Sequence, residues 1–253
     1  MRRDGLILAI GGSALALVIA VGVLAFAAGH ETRETVTVTV AGGGTNSVSP
    51  ATEIDPRVAA GAHLFVQFAC AACHGERGRG GVSPDVPALT QLGKTLTVSQ
   101  LDRIIDRGLG AAGNPTKPYM PVWGPVISAR QVSYLVAYIR DGLPDVPGAT
   151  PIPIPRGHGP AVAGAALYER YGCINCHGPN GLGGVPNPAS PDETIPPLSG
   201  ITFRKEYTGA EIIEIIRSGS VIGRAPIVSM PHWGGIIPGR DLEALLAYLR
   251  TLK

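Results

Sequence analysis

The longest unbroken apolar stretch lies at the N-terminus: after Met1, Arg2, Arg3 and Asp4, the run from Gly5 to Gly29 carries no charged side chain. A helix rising about 1.5 Å per residue over that run crosses a hydrocarbon core of ~30 Å. The pattern predicts one transmembrane helix in residues 1–29, single-pass in the cytoplasmic membrane. Arg2 and Arg3 would stay in the cytoplasm and the remaining chain would lie on the extracytoplasmic side. A cleaved secretory signal is the competing expectation, since Ala25, Phe26 and Ala27 fit an A-x-A cleavage site, but the apolar run is longer than the core of most such signals. After it, Val36, Val38 and Val40 alternate briefly with threonines before a glycine run, and residues 30–54 read as a linker.

Beyond this linker the pattern becomes helical and occurs twice. "GAHLFVQFACAACHGERGRGGV" from Gly61 aligns without a gap on "GAALYERYGCINCHGPNGLGGV" from Gly164, an offset of 103 residues. "TVSQLDRIIDRG" (Thr97 to Gly108) matches "TGAEIIEIIRSG" (Thr208 to Gly219) at an offset of 111. Each of these opens with a capping box, Thr97 with Gln100 and Thr208 with Glu211. Each then sets apolar residues at helical spacing: Leu101, Ile104 and Ile105 in one, Ile212, Ile215 and Ile216 in the other. "YLVAYIR" (Tyr134 to Arg140) and "ALLAYLR" (Ala244 to Arg250) close the two copies at an offset of 110. The change in offset places an insertion in the second copy, in the proline-rich stretch after Val185. Between the copies, prolines 144, 147, 151, 153 and 155 mark residues 143–159 as an extended, semi-rigid linker. The expected architecture is all-α, with two tandem modules, 55–142 and 160–253, behind the N-terminal helix.

Composition changes this picture in two ways. Charged residues make up 16% of the chain and its formal net charge is +2, without a lysine or arginine run, which argues against a nucleic-acid partner. Thirty-five glycines and 23 prolines, with aromatics at 5%, predict short helices joined by long loops and a thin core. Small domains of that kind often recruit a disulfide, metal or cofactor as part of the core.

The four cysteines supply the chemistry, because all of them fall in one motif used twice: Cys70, Cys73 and His74, then Cys173, Cys176 and His177. Cys-x-x-Cys-His on a helix brings two thiols to one flat macrocycle and turns an imidazole towards its centre. The thiols can add to the two vinyl groups of haem, and the histidine becomes the proximal iron ligand. A thioredoxin-like dithiol fits less well, since neither motif follows a strand in a βαβ pattern and that chemistry has no need of the histidine. A zinc site pairs its Cys-x-x-Cys halves at closer range than a hundred residues, and an i, i+3 disulfide strains a helical turn. Two covalently bound haem c groups are therefore expected.

At this point the chain resembles the class I c-type cytochromes over both modules, although not over the anchor or linkers. In that family an N-terminal helix ends in C-x-x-C-H and a methionine far downstream supplies the second axial ligand. Beyond the initiator there are two methionines, Met120 in "PYMPVWG" and Met230 in "VSMPHWG", at corresponding places before the last helix of each copy. His74 with Met120 and His177 with Met230 are the expected iron ligands. The resemblance further implies that Pro87 and Pro196 accept the proximal histidines' free N–H, with Pro197 competing in the second copy. It places Trp123 and Trp233 near the haem or its propionates, core packing being the alternative. Phe65 and Tyr168, with Gly61 and Gly164, match the family's crossing of first and last helices. Of the other histidines, His30 and His158 fall in linkers; His63 and His232 offer an alternative second axial ligand.

With both axial positions filled, one-electron transfer is the expected activity, and the chain is not itself expected to be an enzyme. The resemblance extends to di-haem cytochrome subunits of terminal oxidases and of quinol:cytochrome c reductases. The expected partners are redox proteins of a respiratory or other membrane electron-transfer chain. The alternatives are an electron-accepting subunit of a periplasmic dehydrogenase and a di-haem peroxidase, the latter disfavoured by the paired methionines.

Overall fold

Among the described residues, the helix starts at Asp55, Thr97, Ser128 and Thr208 are written as local capping patterns. A computed structural model describes residues 53–109, 120–187, 193–200, 205–219 and 230–253. The expected helix of residues 1–29 lies outside them, as does nearly all of the 30–54 linker. Among the described residues no helix is long and apolar enough to cross a membrane.

The first copy begins with α1 (Pro56–Gln67), whose start is set by the Asp55 carboxylate accepting from the Arg57 N–H and by proline at the first position. The short α2 (Cys70–His74), α3 (Leu92–Thr95), α4 (Val98–Arg107) and α5 (Ala129–Arg140) follow. The second copy repeats the order with α6 (Pro160–Arg170), α7 (Cys173–His177), α8 (Gly209–Ser218) and α9 (Gly239–Leu249). The capping boxes at Thr97 and Thr208 form as expected, each hydroxyl accepting from the third residue's N–H while that residue's side chain accepts from the cap. A third box, Ser128 with Gln131, starts α5. Among the described residues there are no strands, only isolated bridges pairing Leu109 with Met120 and Pro186 with Thr194. The second bridge closes the extra loop after Val185.

In each copy the first and last helices cross at a glycine. A Cβ on Gly61 would overlap the Tyr134 carbonyl oxygen and the Tyr138 side chain, and one on Gly164 would overlap the carbonyl of Ala244 and the side chain of Tyr248. Only the missing side chain lets the helices approach this closely. Aromatic pairs flank the crossings, Phe65 with Tyr138 at 5.7 Å and Tyr168 with Tyr248 at 5.3 Å between ring centroids. Two apolar clusters result. One gathers Phe65, Leu101, Ile105, Leu135 and Ile139; the other gathers Leu167, Ile212, Leu242, Leu245 and Trp233.

Residues 52–253 form one compact unit, and the linker between the copies belongs to both sides of it. Leu143 and Val146 are buried in the first cluster, and the Tyr138 hydroxyl donates to the Pro144 carbonyl at 3.3 Å. Ile154 packs on the second cluster, and the Arg170 guanidinium donates to the Ile152 carbonyl at 3.1 Å. The proline-rich segment is thus a strap pinned at both ends.

Candidate haem-binding sites

Each Cys-x-x-Cys-His motif folds as a helix of five residues set off from the preceding helix by one left-handed residue, Ala69 at φ 55° and Gly172 at φ 71°. That reversal turns the motif away from the axis of α1 or α6. Residues three apart then share a face, so Cys70 and Cys73, and likewise Cys173 and Cys176, project together. None of the four is in a disulfide. After each histidine the chain doubles back tightly: the Gly80 N–H donates to the His74 carbonyl at 2.6 Å and the Gly183 N–H to the His177 carbonyl at 2.8 Å.

The imidazoles are held by the prolines. His74 Nδ1 lies 2.9 Å from the Pro87 carbonyl oxygen and His177 Nδ1 lies 3.4 Å from that of Pro196. A carbonyl can only accept, so Nδ1 carries the proton and Nε2 is the nitrogen left to a metal. In the second copy the carbonyl is that of Pro196, not Pro197. Burial lowers the pKa of both histidines, that of His177 to about 4, so both rings are neutral near pH 7. Burial also pushes the thiols up, to about 12 for Cys70, Cys73 and Cys173 and about 11 for Cys176. A redox dithiol keeps one thiol's pKa low to hold it as thiolate; here both stay protonated.

Met120 and Met230 are partly buried, one against each cluster, and each follows the amphipathic helix of its copy. Met120 is pinned by a two-way backbone bridge to Leu109, at 2.9 and 3.0 Å. Trp123 and Trp233 stand three residues on. Trp123 lies 6.1 Å from Phe68 and Trp233 lies 6.0 Å from Tyr171, ring centroid to ring centroid. Their backbone N–H groups donate to Ile105 and Ile216, tying the methionine loops to α4 and α8. His63 is exposed on α1. His232 is buried, 3% exposed, beside Trp233.

Two polar contacts of the second copy escaped the sequence. The Tyr168 hydroxyl donates to the Gly178 carbonyl at 2.8 Å, anchoring the turn that follows His177. The Tyr171 hydroxyl donates to Asp241 at 3.0 Å, and Asp241 is also paired with Arg240. Phe65 and Phe68 stand at the corresponding places of the first copy, so neither bond exists there; comparing the aligned copies for Phe-to-Tyr exchanges would have flagged both positions.

The donor set fits haem c. Each copy offers two thiols on one helical face, a neutral imidazole oriented through Nδ1, and a thioether in a separate loop backed by tryptophan. No group of three or more histidine, cysteine, aspartate or glutamate residues placed to hold a bare metal ion occurs among the described residues. Fold and site together define a c-type cytochrome of two modules.

Comparison with known proteins makes the class narrower. The family model "Cytochrome C oxidase, cbb3-type, subunit III" matches residues 56–139 and again 159–249, and the chain belongs to that family. The chain is also similar to "Cbb3-type cytochrome c oxidase subunit FixP" of Azorhizobium caulinodans, 29% identical over 195 residues covering 72% of this chain and 56% of the relative. The chain thus spans little more than half the length of that curated relative. No solved structure gives a significant match.

Proposed function

We propose that this chain carries single electrons as a di-haem cytochrome subunit of a terminal oxidase, anchored in the cytoplasmic membrane with modules 55–142 and 160–253 on its outer face. Its donor in this reading is a quinol-oxidising complex or that complex's carrier. The carrying observation is that each of two Cys-x-x-Cys-His helices presents its histidine with Nδ1 on a proline carbonyl, in a chain of the cbb3-type subunit III family.

Haem, when bound, supplies a reversible one-electron change at its iron. Everything else is the work of these residues. Cys70 and Cys73, and Cys173 and Cys176, would hold the macrocycle covalently. His74 and His177 would ligate the iron through Nε2, while the Pro87 and Pro196 carbonyls orient the rings and raise their basicity. Met120 and Met230 would supply the second ligand, a His/Met pairing that favours a high potential. The ring pairs Phe68 with Trp123 and Tyr171 with Trp233 pack beside the methionine loops. With both ligands supplied in this way, a substrate would find no open coordination site, which favours electron relay over peroxidase chemistry.

Two measurements test the reading. Detergent-solubilised chain should co-purify with oxidase subunits, and co-purification with a periplasmic dehydrogenase instead would overturn the oxidase assignment. Met230→Ala should convert one of the two haems to a high-spin form and lower its potential while the other is unchanged. Two unaltered low-spin haems in that variant would exclude Met230 as a ligand.

A further inference from the structure

The two modules meet through their attachment helices, at residues that correspond in the repeat. Ala69 and Gly172 are equivalent positions, and each is the left-handed residue that starts its motif helix. They lie against each other: a Cβ on Gly172 would fall 2.8 Å from that of Ala69. Ala69 is 6% exposed and Phe68 is 4% exposed. Contact between equivalent residues is the mark of a two-fold, isologous interface, here between two halves of one chain.

A side-chain hydrogen bond joins the halves across this face. The Asn175 amide donates to the Gln67 carbonyl at 2.7 Å, at the end of α1, and to the Gly172 carbonyl at 3.2 Å in its own module. Its equivalent in the first module is Ala72, which packs on the apolar cluster of the second together with Cys73 and Val86. The cysteines are therefore not alike. Cys70 packs on its own module's cluster and Cys173 on its own, whereas Cys73 packs on the second module's cluster.

We propose that Asn175 is a latch that locks the two haem-binding modules face to face, with the Cys73 attachment point of the first turned onto the second, so that the separation of the two redox sites is fixed. The geometry stands independently of function; only the consequence, direct passage of an electron between the sites, rests on the electron-transfer reading above. In that passage one site is oxidised by one electron and the other reduced by one, with no bond made or broken. Asn175 acts here as a positioning residue.

The test compares the full chain, with haem attached at both motifs as checked by mass, in Asn175→Ala, Asn175→Asp and Val86→Asp forms. Asp offers only acceptors to two carbonyls and so repels where Asn bonds. Val86→Asp opens the same face from outside either motif and covers the case in which an altered motif fails to take haem. Hydrogen exchange around residues 67–69 and 172–175 should speed about fivefold in Asn175→Ala, the ratio expected for losing the one neutral hydrogen bond that crosses the face, about 1 kcal/mol, and by more in both Asp variants. After rapid photoreduction, electron exchange between the haems should slow in the Asp variants while each haem keeps its parental spectrum. Parental protection together with parental exchange rates in all three variants would overturn the latch. If the parent's haems never exchange electrons but the variants lose protection, the latch holds and the relay reading falls instead.

Discussion

The Tyr168 hydroxyl does something that Phe65 at the corresponding place cannot. It reaches out of the helix crossing to the Gly178 carbonyl, the first residue after His177, and burial keeps its phenol protonated well above neutral pH. Removing it strips a donor from a buried carbonyl. Tyr168→Phe should therefore cost about 1 kcal/mol of stability, the usual size for such a bond, read as a lower denaturant midpoint. Its haem spectrum should stay low-spin, because the residue supports the turn and does not touch the metal position. Residue-scale chemistry was the most legible part of the sequence. Cys70, Cys73 and His74 sit within five positions of one another, as do Cys173, Cys176 and His177, so each set's joint purpose is written locally. Asn175 was not legible, because its partner Gln67 is over a hundred residues away and the middle positions of the motif carry no haem chemistry of their own.

At the scale of elements, the repeat does most of the explaining. Thr97 with Gln100 and Thr208 with Glu211 are pairs three residues apart, and such pairs are readable because they act within a single turn. Ser128 with Gln131 obeys the same rule and could have been read likewise. The left-handed Ala69 also had a signal: the gapless repeat sets it opposite Gly172, the residue type that adopts this conformation without cost. The helix crossings give a prediction that belongs here. Gly164→Ala forces a methyl into the Ala244 carbonyl, and α6 must move off α9 to admit it. Overpacking of this kind costs about 1–3 kcal/mol, so the thermal or denaturant transition should shift down. Ala165→Gly, one position along and partly buried, adds no methyl and should lose the ~1 kcal/mol of helix propensity.

For the whole molecule, two copies of a thin-cored module share one compact unit. What the sequence could not convey is how they pack, since the periodicities that reveal helices say nothing about which faces of separate repeats meet. The linker shows this well. Its prolines foretold stiffness, yet not that Leu143 and Val146 sink into one cluster while Ile154 packs on the other and Arg170 bonds the Ile152 carbonyl. Because each stretch of the strap clings to its own module, the face at Ala69, Gly172 and Asn175 is what holds the modules to one another. A protease that nicks the chain between Ala149 and Ile152 should leave both fragments bound to each other, eluting from gel filtration as one particle and separating only in denaturant. Release of two independent pieces under native conditions would show that the peptide bonds alone had kept them paired. Retention means that the two halves would also assemble if they were synthesised as separate polypeptides.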